Sequence, residues 1–200
     1  MKTHQEEIIK LLKKQQIIRP RDLKQIGVPP VSLSRMLKHN LIQKIGRGLY
    51  ASIDYSIEET QDLVEVVKRV PSGIICLLSA LQYYNISTQN PFEVWIAIEN
   101  KAHMPLIDNP PIRVLRFSGK ALNEGINKVN IKGVEVKIYS LEKTIVDCFK
   151  YRNKIGIDVC IEALKDALRQ KKISLNKLSH FAKICRVTNI LNPYIEAIIQ

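Results

Sequence analysis

The sequence predicts an α+β fold in two parts, and three observations carry that expectation. Apolar residues recur at helical spacing near the N-terminus and again from about residue 141 onward. Between them, residues 92–139 change period to short β-rich runs separated by Pro, Gly and Asn. Positive charge is concentrated in the first quarter of the chain. The composition, 46% hydrophobic and 25% charged over 200 residues, is that of a globular protein able to bury a core as one large domain or two small ones. No apolar run approaches the roughly 18 residues needed to span a bilayer. The opening Met1–Glu7 lacks the apolar core of a secretory leader. The expectation is a soluble, cytoplasmic protein with no membrane partner.

The N-terminal elements follow in order. Ile8, Ile9, Leu11 and Leu12 form one stripe of an amphipathic helix, with Lys10, Lys13 and Lys14 opposite. Arg19-Pro20 ends it, because the residue before proline avoids helical angles. Pro20–Ile26 reads as a short second helix stopped by Gly27. After the Val28-Pro29-Pro30 turn a third helix spans Val31–His39, with Leu33, Met36 and Leu37 inward and Asn40 as a left-handed terminator. Leu41–Ile45 and Leu49–Ser52 are short strands joined through Gly46-Arg47-Gly48. Helix, helix, turn, helix, hairpin is the order of a winged helix-turn-helix, here residues 1–53, with Val31–His39 as recognition helix and Gly46–Tyr50 as wing.

Charge points the same way. Residues 1–52 hold eleven Lys/Arg against three Asp/Glu, a net of +8, out of +12 for the whole chain. Such a balance favours a polyanionic partner. A helix that reads a major groove buries one side and offers short polar and basic residues on the other. Ser32, Ser34, Arg35 and Lys38 occupy the outward positions of the third helix. Arginine can donate two hydrogen bonds to guanine, whereas Lys24 and Lys38 suit phosphates. Arg47 stands at the tip of the hairpin, where flanking glycines let the main chain come close. The expected DNA contacts are therefore Lys24, Ser32, Ser34, Arg35, Lys38, Lys44 and Arg47, on double-stranded DNA.

The second part, residues 54–200, opens with Ser56-Ile57-Glu58-Glu59, a capping box for a helix reaching about Arg69. Gly73–Asn85 reads as a buried helix. Phe92–Glu99, Ile112–Phe117 and Val134–Tyr139 read as strands, and helices are expected at Leu141–Tyr151, Ile157–Gln170, Leu175–Cys185 and about Ile190–Ile199. Ser140 is placed to cap the first of these, with Ile145, Val146 and Phe149 inward. Cys76, Cys148, Cys160 and Cys185 lie far apart in apolar stretches, so buried free thiols are expected and zinc is not. The four histidines show no ligand spacing, and no glycine loop suits a phosphate cofactor. Neither metal nor cofactor is expected.

One pattern has an enzymatic reading. Glu135-Val136-Lys137 with Asp108 upstream matches the spacing of a Mg²⁺-dependent nuclease of the PD-(D/E)xK type. The plainer reading turns Val134, Val136 and Ile138 to the core and Glu135, Lys137 and Tyr139 to solvent, and a three-residue motif arises often by chance. A protein-interaction adaptor is the other alternative to DNA binding.

Several stretches resemble a known family. Gln43–Tyr50 resembles the wing signature of AbiEi-type antitoxins, the regulatory halves of abortive-infection toxin–antitoxin pairs. Gly73–Leu81, Pro91–Ile98 and Ser140–Phe149 resemble the opening helix, first strand and most recognisable helix of that family's C-terminal region. The resemblance implies a non-enzymatic autorepressor that binds operator repeats in its own promoter and neutralises a nucleotidyltransferase-like toxin encoded nearby. Pro29-Pro30-Val31 stands where relatives often carry polar or basic residues. Fewer base contacts are then available, and Arg35 and Arg47 are expected to dominate, with phosphates supplying most of the affinity.

Overall fold

A computed structural model describes residues 4–53 and 61–199. The capping box at Ser56–Glu59, and the start of the boundary expected after residue 53, lie outside the described residues. The chain divides into two compact units, Met1–Pro71 with Asn130–Val136, and Ser72–Val129 with Lys137–Gln200. The α+β expectation holds.

In the first unit, α1 (His4–Gln15) is followed by β1 (Ile17–Ile18), a 3-10 helix (Asp22–Ile26), α2 (Val31–Lys38), β2 (Ile42–Gly46), β3 (Leu49–Ser52) and α3 (Gln61–Arg69). The second helix expected at Pro20–Ile26 is thus one tight 3-10 segment. Gly27, at φ 69, closes it, and the Val28 N–H donates to the Leu23 carbonyl at 3.1 Å. Strand β1 was not expected. Its two isoleucines pair with Tyr50 and Ala51, so three strands run in the order β1-β3-β2, all antiparallel. Ile18, Ile42 and the half-buried Tyr50 join Ile8, Leu12, Leu23, Leu33 and Met36 in one apolar core. Side chains alternate across a sheet, which puts Ile17, Leu49 and Ala51, all fully buried, on the opposite face.

The other sheet is mixed, with five strands in the order β6-β5-β4-β8-β7. Its strands are β4 (Ile74–Ile75), β5 (Val94–Glu99), β6 (Ile112–Phe117), β7 (Ile126–Ile131) and β8 (Val134–Tyr139). The helices are α4 (Leu77–Tyr83), α5 (Gly119–Asn123), α6 (Leu141–Lys150), α7 (Arg152–Ile155), α8 (Ile157–Arg169), α9 (Leu175–Cys185) and α10 (Thr188–Ile199). The helix expected over Gly73–Asn85 is corrected at its start. Ile75 pairs with Ile96 on one side and Ile138 on the other, so β-branched residues fill the middle of the sheet and helical structure begins only at Leu77. A second correction concerns Tyr139. It was expected in solvent but is buried, and its hydroxyl donates to the Leu122 carbonyl at 2.8 Å.

Helix α6 lies at the centre of the second core. Ser140 caps it, its Oγ accepting from the Lys143 N–H at 3.3 Å. Every residue from Leu141 to Phe149 is buried. The four cysteines are free and buried. No described helix is long and apolar enough to cross a membrane.

Candidate nucleic-acid interface

The sequence of α2 sets its orientation. Pro29 and Pro30 accept the first hydrogen bonds, from the Ser32 N–H at 3.0 Å and the Leu33 N–H at 3.1 Å, so the prolines start the helix. Leu33 and Met36 are fully buried and Leu37 half-buried, which leaves Ser34, Arg35 and Lys38 exposed with His39 beyond the last turn. Ser32, expected to face outward, is buried at 7% exposure. It sits one position before Leu33, on the inner side of the first turn. Asn40 takes the left-handed conformation at φ 52, and the Leu41 N–H donates to the Met36 carbonyl at 3.0 Å. This satisfies the helix end.

The hairpin presents Arg47 at its tip. Gly46 pairs with Leu49, leaving Arg47-Gly48 as the turn, and Gly48 supplies the positive φ of 69 that reverses the chain. The pairing shifts between Lys44 and Gly46, a bulge that twists the strand end. Lys44, opposite Tyr50, is exposed, as are Arg47 and, on the 3-10 helix, Lys24. The side chains of Lys24, Arg35, Lys38, Lys44 and Arg47 form no ion pair or hydrogen bond among the described residues. Asp22, by contrast, is internally engaged. Its carboxylate accepts from the Arg19 N–H at 2.9 Å and from Lys68 Nζ at 3.1 Å. Positive charge is therefore left facing solvent while this nearby acid is already used.

The nuclease-like residues behave as strand residues. Val134, Val136 and Ile138 are buried, Glu135 is exposed and Lys137 half-buried. Asp108 is exposed in the connection between β5 and β6. Among the described residues no group of three or more His, Cys, Asp or Glu comes together to hold a metal ion.

Sequence reading missed a buried ion pair in α6. Lys143 Nζ lies 2.5 Å from Asp147 Oδ2, with both side chains wholly shielded. The ammonium also lies 4.3 Å from the ring centroid of Tyr139 and 4.9 Å from that of Phe117. Cys185 Sγ donates to Asp147 Oδ1 at 3.4 Å. Burial pushes the Asp147 carboxyl up, against the pull of Lys143. The i,i+4 spacing of Lys and Asp was the only signal available, and it reads as an ordinary surface pair.

A family model described as "Transcriptional regulator, AbiEi antitoxin" matches residues 6–53. The N-terminal segment is AbiEi-like. This AbiEi-like segment contains α1, the 3-10 helix, α2 and the hairpin, and with them all seven residues expected to contact DNA. The resembling motifs at Gly73–Leu81, Pro91–Ile98 and Ser140–Phe149 lie beyond it. No curated protein matches the sequence. Among solved structures, the RV2827C protein from Mycobacterium tuberculosis is similar in fold. It is 15% identical with a TM-score of 0.58, over 92% of this chain and 72% of that one.

Proposed function

We propose that residues 1–53 form a winged helix-turn-helix that binds double-stranded DNA in the protein's own promoter. In this reading the protein is a cytoplasmic transcriptional autorepressor of the AbiEi class, acting without catalysis. Residues 54–200 supply the antitoxin function toward a nucleotidyltransferase-like toxin encoded nearby. The observation that carries the reading is the unpartnered set Arg35, Lys38, Lys44 and Arg47 on α2 and the hairpin, inside the AbiEi-like segment. Ser34 and Lys24 complete the proposed contacts. Ser32, being buried, is left to support the helix start.

Arg35→Ala and Arg47→Ala test the assignment. A charge-assisted contact to a base or phosphate is worth roughly 1–3 kcal/mol, so each change is expected to weaken binding to the upstream promoter DNA about tenfold in a gel shift at physiological salt. If neither variant differs from wild type, the contact assignment is wrong. Tight protein-partner binding with no salt-dependent DNA affinity would instead favour the adaptor.

A further inference from the structure

The three-stranded sheet of the first unit sets Leu49 and Gly46 in one row, with Arg19 directly following the neighbouring strand β1. Ile17 pairs with Ala51 and Ile18 with Tyr50, so continuing that register one residue past the end of β1 would bring Arg19 opposite Leu49, which pairs with Gly46. The row lies on the face turned away from the helical core, because Ile18 and Tyr50, the neighbouring positions, belong to that core. On this face Gly46 is covered by a residue from outside the AbiEi-like segment. The Arg69 guanidinium, from the last turn of α3, sits where a Cβ on Gly46 would be. Its Nη2 would collide with such an atom, and its Cζ would stand 3.3 Å from it. Gly46 has no positive φ, so its backbone suits any residue. What calls for glycine here is the seat of Arg69.

Arg19 and Arg69 share a second property. Each is half-buried, and each has its Nε shielded from solvent without a hydrogen-bond partner. Their Nη groups also lack protein partners but keep contact with solvent. The nearby Asp22 carboxylate is held by Lys68 and the Arg19 main chain rather than by either guanidinium. Each side chain is thus shielded at Nε while its Nη donors have no partner in the protein. Guanidinium donors have no acceptor of their own and match the paired oxygens of a phosphate.

We infer that Arg69 and Arg19 form a backbone-phosphate subsite beside the Gly46–Leu49 pair, next to the tip of the β2–β3 hairpin and one residue along the chain from Arg47. The duplex contact then extends past residue 53 to α3. This inference rests on the DNA-binding reading above and adds a phosphodiester-binding site to it.

The test measures affinity of the full chain for a short duplex of random sequence, by fluorescence anisotropy over a range of salt concentrations. Arg69→Ala is expected to lower affinity about tenfold and to reduce the slope of log affinity against log salt by about 1, as for one lost phosphate contact. Gly46→Ala keeps every charge and displaces only the far end of a flexible side chain. It is expected to weaken binding severalfold with an unchanged melting temperature. Arg69→Lys should keep the slope and lose part of the affinity. The subsite is overturned, with the DNA reading intact, if Arg47→Ala weakens binding while Arg69→Ala and Gly46→Ala match wild type. A loss for Arg69→Ala that merely follows a lower melting temperature, with Gly46→Ala unaffected, also overturns it. Wild-type protein with no salt-dependent affinity for any duplex overturns both.

Discussion

Lys143 and Asp147 form the most heavily shielded charged pair described, and their chemistry sets what substitution does there. Removing one member of a buried pair strands the other charge in a medium that cannot solvate it, at about 3–5 kcal/mol. Lys143→Ala and Asp147→Ala should therefore each lower the unfolding free energy by about that much, read as a lower urea midpoint at unchanged slope. The double change Lys143→Met with Asp147→Leu should recover much of the loss, because apolar replacements carry no desolvation cost. The thiols give a pH dependence. Burial pushes Cys160 up to about 12 and Cys185 up to about 11, and it raises Cys76 and Cys148 well above the ordinary range. A group whose folded pKa is raised holds its proton more tightly in the folded state. That contribution to stability is complete below the ordinary thiol pKa and is lost as pH rises through about 11 to 12. Denaturation midpoints should thus fall on the alkaline side, and the four cysteines should resist a disulfide reagent near neutral pH until denaturant is added. Rapid modification of the native protein would contradict that protonation state, since the thiolate is the reacting form.

Individual elements differ in how much of them the sequence displayed. Strand β6 and helix α9 begin and end where their periodicity predicted, and Asn40 ends its helix with the expected left-handed turn. These elements carry their signals locally, as apolar spacing, caps and turn residues. Strand β4 carries none, being two isoleucines whose identity depends on partners about twenty and sixty residues further along. Strand β7 is an edge strand, Ile-Asn-Lys-Val-Asn-Ile, polar enough to pass for a loop. Ser32 defeated the reading differently, because a small side chain on the inner turn of a short helix costs little to bury. The candidate site divides along the same line. Exposed Arg35 and Arg47 were legible, whereas the seat of Arg69 on Gly46 depends on tertiary packing alone. The β7–β8 turn yields a prediction at this scale. Lys132 and Gly133 both have positive φ, as a tight two-residue hairpin turn requires. A Cβ on Gly133 would collide with the Lys14 carbonyl oxygen. Gly133→Ala combines that collision with a left-handed backbone that costs about 1–3 kcal/mol for other residues. It should lower the urea midpoint without altering the slope of the transition.

For the molecule as a whole, charge and chain path are the informative features. The net charge of residues 1–52 is +8 of a total of +12, so DNA affinity should fall steeply with added salt if these cations meet phosphates. A flat salt profile would remove the electrostatic part of the reading. The first unit is also not a continuous stretch. It takes in Asn130–Val136, a segment lying between the two stretches of sequence that make the second unit. A protein cut after Pro71 should accordingly melt at a lower temperature, and over a broader range, than the same unit within the full chain. Circular dichroism would measure this directly. The same chain path bears on biosynthesis. Polypeptides leave the ribosome N-terminus first, yet the Gly133 turn that closes against Lys14 is made more than a hundred residues after its partner. The nascent N-terminal segment therefore waits for one of its packing surfaces until about two-thirds of the polypeptide exists. Translation stalled before residue 130 would then release a chain whose first unit lacks one of its segments, tying that unit's completion to roughly the first two-thirds of synthesis.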